Sequence, residues 1–202
     1  QLDSSERGFS FRHDGPLDMR FGTTNTLSAA TIINSFDEAE IAKIIWVYGE
    51  DRLSRKIAYA ICKHRPIQST QELANIVERV YGSRPTHPHP ATRTFQAIRI
   101  AVNEELQAIE KTIPIALQML APQGRLAVIS FHSLEDRIIK QIFRRESKDC
   151  ICPPEQPICN CNHEAIIREI NRKPIEPNAD EIAFNPRARS AKLRIAEKIK
   201  LA

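Results

Sequence analysis

The chain has 202 residues, 42% hydrophobic and 27% charged, with a formal net charge of +4. That is enough chain to bury a core, and it is too apolar to remain disordered. No apolar run reaches the ~20 residues of a membrane helix and no signal peptide opens the sequence, so a cytoplasmic protein with no membrane partner is expected.

Residues 1–26 show no helical period and read as an irregular loop. Within it, Glu6 to Arg20 interleaves Phe9 and Phe11 with Arg7 and Arg12. Aromatics and guanidinium groups in one loop can stack a splayed-out base and neutralise phosphates; the same two rings can instead plug a core. From Leu27 to about Leu120 the period is helical. Asp37 with Glu40, and Ser69 with Glu72, have the spacing of capping boxes. Ile41, Ile44, Ile45 and Tyr48 form one stripe, Leu53, Ile57, Ala60 and Ile61 a second, and Leu73, Ile76, Val77 and Val80 a third. Three prolines between Pro85 and Pro90 break the pattern. A long helix is then expected from about Thr92, with its stripe running from Phe95 to Leu120 and Pro114 kinking or dividing it. Its first turn, with Arg93 and Arg99 nearby, is suited to binding a phosphate, or is simply a solvated helix face.

After Gly124 the period changes. Arg125 to Phe131 is a short apolar run that reads as a buried strand, followed by a helix over about 134–147 capped by Ser133 and Asp136. A weak strand at 166–171, a short helix near 179–184 and a last strand at about 191–197 complete the order. This is part of an α/β sheet whose few strands leave an edge uncovered. Ligands of open α/β sheets sit beyond the carboxyl ends of strands, which puts His132, Ser133, Glu135 and Asp136 in a suitable place for a site. The alternative is that Ser133 and Asp136 only cap the helix. Arg187 and Arg189 open a terminal stretch whose basic residues suit a phosphate-facing strip or a solvated end.

Cys150, Cys152, Cys159 and Cys161 fall within twelve residues. Four thiolates can hold a structural zinc tetrahedrally, although Cys-x-Cys is tighter than the usual Cys-x2-Cys; a reduced, proline-rich loop is the alternative. Cys62 lies on a helix stripe and reads as core. Six widely spaced glycines provide no glycine-rich strand–turn–helix for a dinucleotide or adenosyl group.

Gln1-Leu2-Asp3, Glu6 to Arg20, His89 to Asn103, Leu120 to Arg137, Arg172 to Ile175 and Asn185 to Glu197 follow one another in an order that resembles the MraW family of 16S rRNA cytosine-N4 methyltransferases along essentially the whole chain. The resemblance implies methylation of a cytidine in 16S rRNA, near the decoding centre of the small ribosomal subunit, with S-adenosyl-L-methionine as donor. It implies the C-terminal part of a Rossmann-like methyltransferase with an inserted all-helical domain: an active-site loop over 1–26, the insert over 27–114 and the returning half of the sheet over 115–202. The family's Gly-Gly-His loop, acidic ribose ligand, aromatic contact and Asp-Leu-Gly-Val-Ser-Ser segment are absent, so a chain lacking its N-terminal donor-binding part is expected. Gln1 is the one donor-contacting position that carries over. From their placement in motifs facing the strand ends, Phe9 and Phe11 are expected to help position the base, and His132 with Glu135 or Asp136 to lie near the reacting amine. Arg12, Arg93, Arg99, Arg187 and Arg189 are expected to face the RNA. The competing readings are a non-catalytic RNA-binding remnant and a zinc-stabilised interaction module.

Overall fold

The computed structural model describes residues 5–22, 26–82, 89–156 and 158–199. Gln1 and the first part of the proline-rich break lie outside them. The chain falls into two compact units, Gln1–Glu105 and Leu106–Ala202.

The first unit is helical. Its elements are α1 (Ala29–Ser35), α2 (Glu38–Gly49), α3 (Ser54–Lys63), α4 (Thr70–Tyr81) and α5 (Ala91–Asn103). Both expected capping boxes form: Asp37 accepts from the Glu40 N–H and Ser69 from the Glu72 N–H, with each glutamate reaching back to the cap. These boxes fix where α2 and α4 begin, because they satisfy N–H groups that no helical carbonyl can reach. The stripes then point inward: Ile41, Ile45, Ile57, Ile61, Leu73 and Val77 are buried together. Gly49 lets α2 approach α5, since a Cβ there would lie 2.8 Å from the Arg93 carbonyl oxygen.

The loop before α1 belongs to this core. After a 3₁₀ turn at Ser5–Arg7 the backbone is irregular, and Leu17 and Met19 are buried in the helical core. Gly8 has φ 65° and packs against the Pro16 carbonyl, where a Cβ would come within 1.9 Å. Only glycine fits that combination of positive φ and close approach. Asp14 accepts from the N–H groups of Gly15 and Gln71, tying the loop to the start of α4. Its carboxyl is held below the ordinary range by hydrogen bonds, chiefly from Ser69.

The single long helix expected from Thr92 is two helices. α5 ends at Asn103, Glu104 adopts a left-handed conformation (φ 49°), and α6 (Glu105–Met119) begins anew. No glycine or proline marks the break. Asn103 holds it instead: its side chain donates to the carbonyls of Met19 (2.7 Å) and Arg99 (2.9 Å) and accepts from the Phe21 N–H (2.8 Å). Pro114 lies inside α6 without ending it.

The second unit contains α6, β1 (Arg125–Ser130), α7 (Ser133–Glu146), β2 (Ile167–Glu169), α8 (Ala179–Phe184) and β3 (Lys192–Lys198). The strand order is β1-β3-β2 and both pairings are antiparallel, with Val128 opposite Arg194 and Leu126 opposite Ala196. Alternation divides β3 into a face with Arg194, Ala196 and Lys198, all buried, and one with Leu193, Ile195 and Glu197. Ile113, Leu117, Ile139, Phe143, Ile167 and Ala196 form the core. Lys198 is buried and donates from Nζ to the Leu117 carbonyl at 3.1 Å. β1, expected to be buried, is an edge strand: only Ser130 is buried, and Ile129 is exposed. Across the three strands Glu197 accepts from Arg125 (2.9 Å) and Arg168 (2.6 Å). Those hydrogen bonds, Arg125's foremost, hold its carboxyl below the ordinary range. No described helix is long and apolar enough to cross a membrane.

Candidate active site at the end of the first strand

β1 delivers Ser130, and the chain turns through Phe131 and His132 into α7. The cap of α7 is His132, not the expected Ser133. Its Nδ1 accepts from the Glu135 N–H at 3.4 Å. Glu135 reaches back, and its Oε2 accepts from the N–H groups of Phe131 (2.8 Å) and His132 (3.2 Å). The other carboxylate oxygen lies 3.4 Å from His132 Nε2. A hydrogen bond accepted at Nδ1 leaves the proton of a neutral imidazole on Nε2, on the side of the carboxylate. The His132 side chain is 9% exposed and that of Glu135 18%, so the pair is largely withdrawn from water.

Asp136 has a different task from the one expected. Its Oδ1 accepts from Arg194 Nε at 2.6 Å and its Oδ2 from Arg194 Nη2 at 3.0 Å. Arg194 holds the carboxyl below the ordinary aspartate range. A carboxylate gripped on both oxygens by a buried guanidinium anchors α7 to β3; it is not a spare acceptor beside His132. Arg194 also donates from Nη1 to the Arg172 carbonyl at 3.1 Å. Three of the separate sequence segments, those containing Asp136, Arg172 and Arg194, are thus one structure.

Two more, Glu6 to Arg20 and His89 to Asn103, meet in the first unit, while Gln1-Leu2-Asp3 lies outside the described residues. Phe11 stands 4.7 Å from the His89 ring and 5.0 Å from that of Phe95, edge to face with the latter. Phe9 is buried and stacks on Phe21 at 5.3 Å. Phe9 therefore packs the loop onto the core, while Phe11 is half-buried at its margin. Arg12 is exposed. Arg93 is also exposed and donates to the Glu50 carbonyl at 3.3 Å. Arg99 is committed to Glu105 through two hydrogen bonds of 2.8 and 2.9 Å, so its charge is already answered. Arg187 and Arg189 are exposed on a 3₁₀ turn, Pro186–Ser190, before β3.

Cys150, Cys152, Cys159 and Cys161 converge, with all four sulfurs within 4.8 Å of one another. Cys62 packs partly buried against the helical core, as its stripe implies.

Two positioning residues were given no such role from sequence, and Arg194, grouped there with the basic terminal stretch, is buried and does not face phosphate. Arg194 had a signal: it is a cation at an inward position of an alternating strand, which requires a buried acid. Asn103 had none, since an asparagine at a helix end is commonplace.

Among the described residues there is no glycine-rich strand–turn–helix. Their glycines are scattered, none opens a helix behind a strand, and Gln1 lies outside them.

A sequence profile of the MraW methylase family matches residues 1–199. The chain is 54% identical over 199 residues to the ribosomal RNA small subunit methyltransferase H of Dehalococcoides mccartyi, covering 98% of this chain and 57% of that protein. It is 55% identical over 204 residues to the protein of the same name from Brevibacillus brevis, covering 98% and 65%. Against that of Thermomicrobium roseum it is 50% identical over 202 residues, covering 98% and 62%. The chain thus spans about three-fifths of the length of these relatives. By this match along nearly its whole length, the chain belongs to the MraW methylase family.

Proposed function

We propose that this chain supplies the acceptor side of an rRNA (cytosine-N4) methyltransferase: it holds a cytidine of 16S rRNA in the small ribosomal subunit while S-adenosyl-L-methionine provides the methyl group. The observation that carries this reading is the family match over residues 1–199, with relatives named as ribosomal RNA small subunit methyltransferases. The roles proposed here for this chain's own groups concern the base.

The cytosine amine is a weak nucleophile, because its lone pair is delocalised into the ring. A base that has left its stack must be held with that amine oriented and its N–H groups accepted. The His132–Glu135 pair at the end of β1 is suited to this: it is largely withdrawn from water, and Glu135 is fixed by two backbone N–H groups. Phe11, half-buried at the margin of the first unit's core, is an aromatic on which a base can stack, and Phe9 acts by holding the loop. Arg12, Arg93, Arg187 and Arg189 are the exposed cations suited to phosphates, in the cytoplasm where the subunit is assembled.

A chimera tests this. Residues 1–199 replace the aligned stretch of the Brevibacillus brevis relative, and methyl-labelled S-adenosyl-L-methionine is offered with small subunits from cells lacking the modification. Label in 16S rRNA is expected. A folded chimera that binds subunits in a salt-dependent way and transfers no label would instead support the non-catalytic RNA-binding reading.

A further inference from the structure

The connection from α7 to β2 leaves the core. Between Cys150 and Glu164 not one described residue is buried. Its neck is pinned: the Ala165 N–H donates to Asp149 at 3.1 Å, the Ile166 N–H donates to the Glu146 carbonyl at 3.0 Å, and His163 Nδ1 lies 2.9 Å from the Lys148 carbonyl. Beyond the neck no apolar burial opposes the entropy of ordering the loop. What does gather there is sulfur. The Sγ–Sγ distances are 3.5 Å for Cys159–Cys161, 3.9 Å for Cys152–Cys159 and 3.9 Å for Cys150–Cys161. Zinc bound tetrahedrally by thiolates at about 2.3 Å sets neighbouring sulfurs about 3.8 Å apart, which these distances bracket.

We propose that Cys150, Cys152, Cys159 and Cys161 hold one structural zinc ion that closes the loop between α7 and β2. All four coordination positions are taken by sulfur, so the ion has no open position for water or substrate and its role is to fold the loop. Each arm is a Cys-x-Cys pair, and the two arms face each other from opposite sides of the turn around Pro153 and Pro154. Each thiol that binds gives up its proton to solvent, so uptake of zinc by the apo protein releases acid. The ion orders the approach to β2, whose Ile167 lies in the core of this unit. Nothing in this inference depends on the methyl-transfer reading, since it involves neither donor nor RNA.

The test is elemental analysis of the chain purified without chelators, followed by exchange with cobalt. About one zinc per chain is expected, retained in Cys62→Ser and lost in the Cys152→Ser/Cys159→Ser double variant. Cobalt should give the intense visible absorption of a tetrahedral thiolate site. Chelator should speed proteolysis within 150–162 several-fold. If the double variant does not fold, the metal content and cobalt spectrum of the unaltered chain decide alone. Metal-free protein that takes up neither ion, iron in place of zinc, or zinc that survives the double substitution would overturn the proposal.

Discussion

Asp136 on α7 and Arg194 on β3 form a two-toothed ion pair, 2.6 and 3.0 Å long, between side chains that are only 12% and 4% exposed. With the apolar packing of Ile139 and Phe143 around Ala196, this contact joins the helix that follows the candidate site to the central strand of the sheet. Removing one partner strands a buried charge, which costs about 3–5 kcal/mol. Arg194→Met should therefore destabilise the second unit by that order, measured by urea unfolding, and Asp136→Leu combined with Arg194→Met should recover much of it. The pair also gives the unit an acid limit. Asp136 has a folded pKa below its unfolded value, so its contribution is present above the ordinary aspartate range and is lost as pH falls through the lowered value. Stability of the wild type should fall more steeply in that acid window than that of the double variant, which keeps only the acid loss of other lowered carboxyls such as Glu197.

His132 holds two roles that substitution can separate. As the cap of α7 it contributes about 1 kcal/mol, which His132→Asn should largely preserve, asparagine being a good N-cap. If the ring also positions the Glu135 carboxylate that accepts from the cytosine amine, His132→Asn in the chimera should lower methyl transfer by about 10²-fold or more while the melting temperature hardly moves. Unchanged turnover would reduce His132 to a cap.

Tyr81 donates to the buried Asp51 carboxylate at 2.6 Å. Burial and that hydrogen bond push the Tyr81 hydroxyl up to about 12 from its usual 10. A raised folded pKa contributes stability that is complete below the unfolded value and is lost as pH rises through the folded one. The first unit should thus weaken between about pH 10 and 12. Tyr81→Phe should abolish that alkaline loss and cost about 1–3 kcal/mol at neutral pH by leaving Asp51 short of a partner.

Gly49→Ala places a methyl 2.8 Å from the Arg93 carbonyl. The contact is with backbone and cannot rotate away, so α2 and α5 must separate. A loss of about 1–3 kcal/mol is expected in thermal unfolding.

Much of this was readable in the sequence. Asp37 with Glu40 and Ser69 with Glu72 announce two helix starts because capping is local chemistry over four residues. The inward stripes of α2, α3 and α4 are equally local. The end of α5 was not readable, since Asn103 breaks the helix by bonding Met19 and Phe21, 84 and 82 residues away in the chain. For the same reason Asp136 looked like a site residue: it follows the carboxyl end of a strand, and only the pairing of β3 with β1 reveals that Arg194 takes it. Phe9 and Phe11 look alike in sequence, yet one is buried against Phe21 and the other stands at the margin beside Phe95. The cysteine cluster was legible as four thiols, whereas their convergence to within 4.8 Å is a property of the folded loop.

The central claim concerns one atom, the exocyclic N4 of a cytidine, and nucleoside analysis by mass spectrometry reads it directly. 16S rRNA from cells lacking the modification should yield N4-methylcytidine after treatment with the chimera and unlabelled S-adenosyl-L-methionine. A methyl group found on ring carbon, on ribose or on another base, or no methyl from a chimera that folds and binds the donor, would contradict it.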